Sequence, residues 1–486
     1  MRFLTRREFL NDSAIWTAAL AATGPLGQLA TAADPVKAVS ANDRLKVAVL
    51  GVHGRGRDHL KGLAGQHGCI VATVCDVDAN LADDTIKYTE SLQKEAPKFE
   101  QDLRKVLDDK TIDIITIATP NHWHSLAAIW AIQAGKDVYV EKPVSHNVTE
   151  GRRLVEIVGK SKQICQAGTQ SRSMNGMREA IEYVQSGKIG KVSVARGLCY
   201  KLRGSIGKVK SETPIPKGID YDLWCGPAPK KPLMRSKLHY DWHWTWDYGN
   251  GDLGNQGIHE MDKARWGLGK TELPKSVLSI GGRFGYVDDG ETANTQICVF
   301  DYGDAELIFE VRGLPTTGPL PQHTKRENWV GNIFYGTEGM VVCPSYDSGV
   351  VMSPKGEVLQ TFKGGGDHYG NFVAAVRSRK AETLRAPIIE GHISSALCHL
   401  GNISYRLGTT YDGKTKVFGD DKQAAETLAR MEEHLKDNKV ALDDPKYHVG
   451  RRLAIDPKAE KFVNDKEADA LLTREYRKGF EVPEKA

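Results

Sequence analysis

A chain of 486 residues has room for two or more hydrophobic cores, and 40% hydrophobic with 26% charged residues describes a globular protein, not a disordered or fibrous one. The formal charge of +4 is nearly balanced over that length and no contiguous basic block occurs, which argues against a nucleic-acid partner. Eight cysteines are too few for a small disulfide scaffold and form no close ligand pairs of the zinc-ribbon type. They read as mostly buried thiols, with Cys69 and Cys75 a possible pair in an oxidising compartment.

Residues 1–33 read as an address. Thr5-Arg6-Arg7-Glu8-Phe9-Leu10 sets twin arginines before a weakly apolar stretch, Ile15 to Leu29, and Ala30-Thr31-Ala32-Ala33 offers small residues for cleavage. The expectation is export by the twin-arginine route to the periplasm or beyond. The stretch is short and broken by Gly24-Pro25, so no stable membrane insertion is expected. Residues 34–43 read as a linker.

From Leu45 the pattern changes. Leu45 to Leu50 is an apolar run of the buried parallel-strand kind, and it ends in Gly51-Val52-His53-Gly54-Arg55-Gly56 before a segment able to start a helix. A second strand, Ile70 to Asp76, closes on an acid twenty residues after Gly56. Strand, glycine turn, helix, strand and acid form the order of a dinucleotide site. Gly51 permits the turn, Gly56 close helix–strand packing, and the N–H groups at the helix start face a pyrophosphate. Asp76 accepts hydrogen bonds from ribose hydroxyls, which favours NAD and leaves NADP open. His53 stands where the second glycine of the usual pattern belongs, with Gly54 positioned to take over its role. An ordinary glycine turn in an unrelated α/β protein is the plainer alternative.

The strand Ile112 to Ala118 delivers Thr119-Pro120-Asn121-His122-Trp123-His124 at its carboxyl end, and a helix is expected from Ser125 to Ala134. Asp137 to Val140 forms another strand and presents Glu141-Lys142-Pro143. A lysine there can donate to a substrate hydroxyl and stabilise the charge left as a proton departs. The expected cofactor contacts are Gly51, His53, Gly54, Arg55, Gly56, Asp76, Thr119, Pro120, Asn121, His122, Glu141 and Lys142.

Past Gly168 strand-like runs recur at Lys191 to Ala195, Ser276 to Gly281, Thr295 to Phe300, Ala305 to Val311 and Gly339 to Val342, predicting a large, open, mainly antiparallel sheet. Helices are expected around Asn371 to Arg377 and Ile393 to Leu407. The densest chemistry lies in Tyr240 to Tyr248 and Gly251 to Asp262. If Asn255 begins a helix, it shares a face with His259 at i and i+4, with Asp262 three residues on. His259 can take a hydroxyl proton as hydride leaves the same carbon. Asp262 either orients that imidazole or holds the helix in place. Trp242 and Trp246 would give an apolar wall against a sugar ring, beside Asn255 and His259 as substrate contacts. The pairs His122/His124 and His239/His243 invite a metal reading, but spacing fixes no third ligand, and none is assigned. Neither a Gly-x-Ser-x-Gly elbow nor a Walker loop occurs.

These motifs resemble the glucose–fructose oxidoreductase / inositol dehydrogenase (Gfo/Idh/MocA) family over about Leu45 to Gly408. The resemblance rests on the glycine turn, Thr119-Pro120-Asn121-His122, Glu141-Lys142-Pro143 and the Gly254 to Asp262 segment. It implies an α/β chain: a Rossmann domain (44–168), then a substrate-binding and oligomerisation domain with an open sheet (169–410). It also implies hydride transfer between NAD(P) and a sugar, cyclitol or glycoside hydroxyl or carbonyl, with Lys142 and His259 catalytic. Exported relatives can keep the nucleotide tightly bound, and the open sheet often builds a homo-oligomer. Where the common pattern has aspartate this chain has Asn255, which cannot accept a proton. Other members are glycosidases that use retained NAD by transient oxidation, elimination and re-reduction, for which Tyr200 or Tyr248 would supply another proton. A noncatalytic carbohydrate-binding or assembly role is a third reading. Residues 411–486 read as an accessory extension with a charged surface helix over Asp420 to Asp437.

Overall fold

A computed structural model describes residues 43–317, 328–411, 416–441 and 447–485. The export segment and nearly all of the linker lie outside them. The first unit alternates strand and helix: β1 (Leu45–Leu50), α1 (Gly56–Leu63), β2 (Cys69–Cys75), α2 (Ala82–Gln93), β3 (Lys98–Glu100), α3 (Leu103–Asp108), β4 (Ile114–Ile117), α4 (Asn121–Gln133), β5 (Asp137–Val140), α5 (Val148–Lys160) and β6 (Cys165–Ala167). The strands are parallel in the order β3-β2-β1-β4-β5-β6. Strands β1, β4 and β5 are buried almost throughout, as the unbroken apolar runs require of a sheet covered on both faces. Strand order reverses between β1 and β4, and a crevice opens at their carboxyl ends.

The second unit contains α6 (Asn175–Gln185), β7 (Val192–Tyr200), α7 (Tyr221–Cys225), α8 (Gly251–Asn255), α9 (Gly257–Gly267), β8 (Ser276–Gly282), β9 (Thr295–Asp301), β10 (Glu306–Arg312), β11 (Trp329–Gly336), β12 (Met340–Cys343), β13 (Ser348–Met352) and β14 (Val358–Lys363). After these come α10 (His368–Ser378), α11 (Ile388–Arg406), β15 (Thr409–Thr410), α12 (Lys422–Asp437), β16 (His448–Val449), β17 (Leu453–Asp456), β18 (Lys461–Phe462) and α13 (Lys466–Ala470). A 12-stranded sheet runs β14-β13-β12-β11-β7-β10-β9-β8-β16-β15, with β17 also on β8 and β18 on β17. Only the β10–β7 pair is parallel among its described pairings.

One face of this sheet packs on α6, α9 and α11 through Met177, Ile181, Ile258, Met261, Leu397 and Leu400 against Ala195, Phe300, Phe309 and Phe334. Burial of that apolar surface is the main force seating α9. The start of α9 can sit so close because a Cβ on Gly257 would stand 3.0 Å from the Phe309 ring. The opposite face is covered by the chain's own α12, where Ala424, Met431 and Leu435 meet Leu278, Ile280, Val299 and Ile308.

The C-terminal segment is woven into both units. Leu453, Ile455, Phe462 and Leu472 join the core under the large sheet, while Phe480 and Val482 join the first unit's core. Helix α10 returns to the first unit, with Phe372, Val373 and Val376 beside β1 and β2. The suggested Cys69–Cys75 pair does not form. The two thiols stand at opposite ends of β2, all eight cysteines are free, and an extended strand of that length holds its ends roughly 20 Å apart.

Candidate active site

The glycine turn lies against the end of β4. Gly51 has φ +82°, and a Cβ there would stand 2.7 Å from the Ala118 carbonyl oxygen. Gly56 lies beneath the turn, where a Cβ would collide with the Gly51 carbonyl, so its contribution is packing. At Gly54 an added Cβ would meet no heavy atom within 4 Å, leaving open space on the cleft side. The Asp76 carboxylate ends β2 and accepts from the main-chain N–H groups of Val52 (2.9 Å) and Asp78 (3.1 Å). Burial raises its pKa, an effect those hydrogen bonds oppose.

A cleft of about 330 Å³ follows from this arrangement. It is lined on the first unit by Gly51, His53, Gly54, Arg55, Asp76, Thr119, Pro120, Asn121, Glu141 and Lys142, all expected from sequence. His122 departs from the expectation: it is wholly buried in the first turn of α4, its Nε2 sits 2.8 Å from the Trp224 carbonyl, and it does not line the cleft. The residues present suit a dinucleotide. The Thr119 hydroxyl is shielded and has no protein partner, and Gly54 leaves room where a pyrophosphate would approach the α1 N-terminus.

Glu141 ties the floor together. Its Oε1 accepts from Arg55 Nε (3.0 Å) and Gln170 (3.1 Å), and His59 Nε2 stands 3.2 Å away. His59, Arg55 and Lys142 together overcome burial and hold the carboxyl well below the usual range. The neighbouring Lys142 donates from Nζ to the main-chain carbonyl of Asn255 at 2.9 Å. Burial lowers its pKa, reinforced by Arg55 and Lys201 and opposed by Glu141 and Glu260.

Asn255 does not begin the helix. It ends α8, and after Gln256 a new helix, α9, carries His259 in its first turn. The His259 ring lies edge-on to Tyr346 at 5.0 Å, and its shielded Nδ1 has no partner. Burial and then the Lys142 charge push its pKa well below the histidine norm, so the imidazole rests neutral with a lone pair available, while the same burial and charge oppose its protonation. Asp262 faces elsewhere. It binds Arg172 Nε at 2.8 Å and the Ser394 hydroxyl at 2.7 Å, which fixes α9 to α11 and settles its role as a helix anchor.

The aromatic tract divides. A short 3₁₀ turn, Asp241–Trp244, puts Trp242 and His243 on the cleft, whereas Trp246 lines a separate cavity beyond Asn250. Tyr200 and Tyr248 also lie away from the cleft. The Tyr200 hydroxyl donates to Glu310 (2.8 Å) and its pKa is pushed up to about 12, while Tyr248 donates to the Pro229 carbonyl (3.0 Å).

Apart from Trp242, the roof of the cleft is missing from the sequence-based cofactor and substrate contacts. Between β7 and α8 the chain crosses back as a strap with its own small core of Trp224, Leu233, Leu238, Trp242 and Tyr248. It is pinned to the first unit by Ala79 N–H to the Gly218 carbonyl (3.0 Å), Asp220 N–H to Val77 (2.9 Å) and Gln101 Nε2 to Gly218 (3.0 Å). His239 Nε2 stands 2.9 Å from Asp78, and its ring stacks on His53 at 4.5 Å. His239, Tyr240, Trp242 and His243 thus face Asp76 and Lys142 across the cleft. Among the described residues no group of three His, Cys, Asp or Glu side chains is placed to hold a metal, and no helix is long and apolar enough to cross a membrane.

Residues 45–169 match the oxidoreductase family described by an NAD-binding Rossmann fold, and residues 177–293 match that family's C-terminal α/β domain. A levoglucosan dehydrogenase of Pseudarthrobacter phenanthrenivorans is 25% identical over 253 residues, 50% of this chain and 57% of the relative. A glycosyl hydrolase family 109 protein of Saccharopolyspora erythraea is 31% identical over 267 residues, 51% and 52% of the two chains. The alignments thus span about half the length of these curated relatives. In fold, the chain is similar to the WlbA dehydrogenase of Bordetella pertussis, solved with NADH and UDP-GlcNAcA. The TM-score is 0.54 at 19% identity, covering 75% of this chain and 97% of that one.

Proposed function

The chain belongs to the glucose–fructose oxidoreductase / inositol dehydrogenase (Gfo/Idh/MocA) family, and from that premise we propose that it is an NAD(P)-dependent oxidoreductase acting on a sugar, cyclitol or glycoside. The observation that carries this reading is the meeting of Lys142 and Asn255 on a dinucleotide-shaped cleft, with His259 behind that lining and close enough to feel the Lys142 charge. Bound there, the nicotinamide ring supplies a hydride acceptor or donor.

The chain's own residues do the rest. The glycine turn and Thr119 would hold the phosphates and ribose, and Asp76 would receive the adenosine ribose hydroxyls. The negative charge of Asp76, with Asp78 beside it, favours NAD over NADP. Lys142 donates to the reacting oxygen and stabilises its developing charge. His259 takes the hydroxyl proton on oxidation and returns it on reduction, a role that Asn255 cannot share. Trp242 and His243, stacked at 3.6 Å, offer the apolar wall for the sugar.

Tight retention is proposed because the His53–His239 stack and the Asp78–His239 contact join the strap to the glycine turn beside the cleft, where they would hinder release of a bound dinucleotide. A retained nucleotide must be restored to its starting redox state in each cycle. A second substrate can do this, and so, as a second reading, can the redox-neutral hydrolysis of a glycoside. Export through the twin-arginine route, which delivers folded proteins, suits an enzyme loaded with nucleotide before transport. Assembly into a homo-oligomer is proposed with the qualification that α12 occupies part of one face of the large sheet.

The test is mass spectrometry of nucleotide released from the purified full chain, followed by absorbance in the reduced-nicotinamide band as inositols, anhydrosugars and glycosides are added. Recovered or bound NAD(H) that changes redox state with one of them is the expected result. Sugar release from a glycoside with no net change in nucleotide selects the hydrolytic reading. Failure to recover or bind either NAD or NADP overturns both and leaves a noncatalytic carbohydrate-binding role.

A further inference from the structure

A second cavity of about 320 Å³ is separated from the cleft by Asn250. The Asn250 amide oxygen accepts from Asn121 on the cleft side (3.0 Å), and its amide nitrogen donates to the carbonyl of His146 (3.0 Å). Around this cavity stand His146, Trp246, His399, Asn402, Arg406 and Arg474. They come from the loop after Lys142, the aromatic tract, the end of α11 and the C-terminal segment, four regions far apart in sequence.

Its polar groups are under-satisfied. Arg406 makes no described hydrogen bond or ion pair and lies over the Trp246 ring at 5.1 Å. Arg474 spends one guanidinium nitrogen on His146 Nδ1 (3.2 Å) and the Asp247 carbonyl (2.7 Å), while its Nε and other terminal nitrogen have no partner. His146 is 9% exposed and its Nε2 is likewise unpartnered. Nearby acids act on these arginines through space, Glu150 on Arg474 and Glu291 and Asp247 on Arg406, but their described hydrogen bonds and ion pairs go to other groups. Asp247 pairs with Lys231 (2.7 Å), Glu150 accepts from Asn147 and the His146 N–H (both 2.9 Å), and Glu291 accepts from the Trp246 N–H. Glu475, on the exposed rim, is the remaining carboxylate of the lining.

Buried donors such as the free nitrogens of Arg474 are paired in folded proteins, and guanidinium groups with no hydrogen-bonded carboxylate are matched by oxyanions. We propose that this cavity binds a small oxyanion, a carboxylate or phosphate group on a body no larger than a monosaccharide, with Arg406 and Arg474 receiving the charge and Trp246 flanking the body. The site is independent of the redox reading, although it shares the Glu141–Asn147 loop with Lys142.

The test is isothermal titration of the full chain with sodium phosphate and, separately, sodium gluconate at ionic strength matched with chloride. Saturable binding of either, at one per chain, weakened roughly tenfold or more in Arg406→Ala, is the expected result, since a charge-assisted hydrogen bond carries about that much affinity. Arg474→Ala should weaken it as well. Should that variant fail to fold, the exposed Arg406 decides alone. Tighter binding of phosphate identifies a phosphoryl ligand, and tighter binding of gluconate a sugar acid. No saturable binding of either anion, or binding that Arg406→Ala leaves unchanged, overturns the proposal.

Discussion

The Lys142 ammonium donates a 2.9 Å hydrogen bond to the main-chain carbonyl of Asn255, at the break where one helix ends and the helix carrying His259 begins. One bond therefore ties the only lysine on the cleft among the described residues to the helix break that precedes His259. In the proposed mechanism, with no carboxylate at position 255, proton transfer falls on His259 and charge stabilisation on Lys142.

Lys142→Met keeps the length of the side chain and removes its charge. Turnover of the substrate found by the nucleotide assay should fall about 10²–10³-fold, the usual effect of losing one donor to a developing oxyanion. NAD affinity, measured by fluorescence titration, should change less than about tenfold. A variant that loses nucleotide binding and turnover in parallel would place Lys142 in binding alone.

Asn255→Asp introduces the carboxylate found in the common family pattern, next to a lysine whose pKa is lowered by burial. A nearby anion favours the ammonium, so the Lys142 pKa should rise by roughly one unit or more. In pH–rate profiles the alkaline limb should move up in this variant. An unmoved limb would mean that the Lys142 charge does not set it.

Much of this was legible in the sequence because its signals were local. The run from Leu45 to the glycine turn, the acid at Asp76 and Glu141-Lys142-Pro143 after β5 each announce themselves within a few residues, and each falls at the crevice. The strap did not, because its placement depends on contacts such as Asp78–His239, 161 residues apart. The aromatic tract read as one wall, but its 3₁₀ turn separates Trp242 from Trp246. Glycine and asparagine interrupt the β-propensity of β11, Trp329–Gly336, which hid it from a pattern reading. Isolated apolar residues among charges, Leu453, Ile455 and Phe480, concealed how deeply the C-terminal segment is built into both cores.

Asp76→Ser should shift nucleotide preference. The carboxylate stands where a ribose phosphate would be repelled, so its removal should weaken NAD and raise the NADP-to-NAD affinity ratio about tenfold or more. The loss of its bonds to the Val52 and Asp78 N–H groups should cost about 1–3 kcal/mol of stability, measured by urea unfolding. An unchanged affinity ratio in a folded variant would remove Asp76 from the ribose site.

Acid should destabilise the fold earlier than its carboxylates alone would dictate. Burial lowers His122 and His399 to about 3 and His368 to about 4. In the unfolded chain these groups titrate near ~6.5. Below that pH the unfolded state binds protons that the native state refuses, so stability falls as pH falls, until the folded pKa values are reached. Each histidine contributes a slope of up to about 1.4 kcal/mol per pH unit. Urea midpoints should therefore drop clearly between pH 7 and pH 5, and equal midpoints would contradict the buried neutral state.

His239→Ala tests the roof. The imidazole reaches Asp78 at 2.9 Å and stacks on His53 at 4.5 Å, joining the strap to the glycine turn over the cleft. The backbone bonds of Gly218 and Asp220 and the strap's core around Trp224 stay in place, so the variant should remain folded. Most affinity changes of this kind appear in the off-rate. NAD dissociation, followed by stopped-flow displacement, should accelerate about tenfold or more while Lys142-dependent single-turnover chemistry changes little. If the nucleotide leaves no faster, the strap covers the cleft without retaining what lies beneath it, and the case for a redox-neutral cycle loses its structural support.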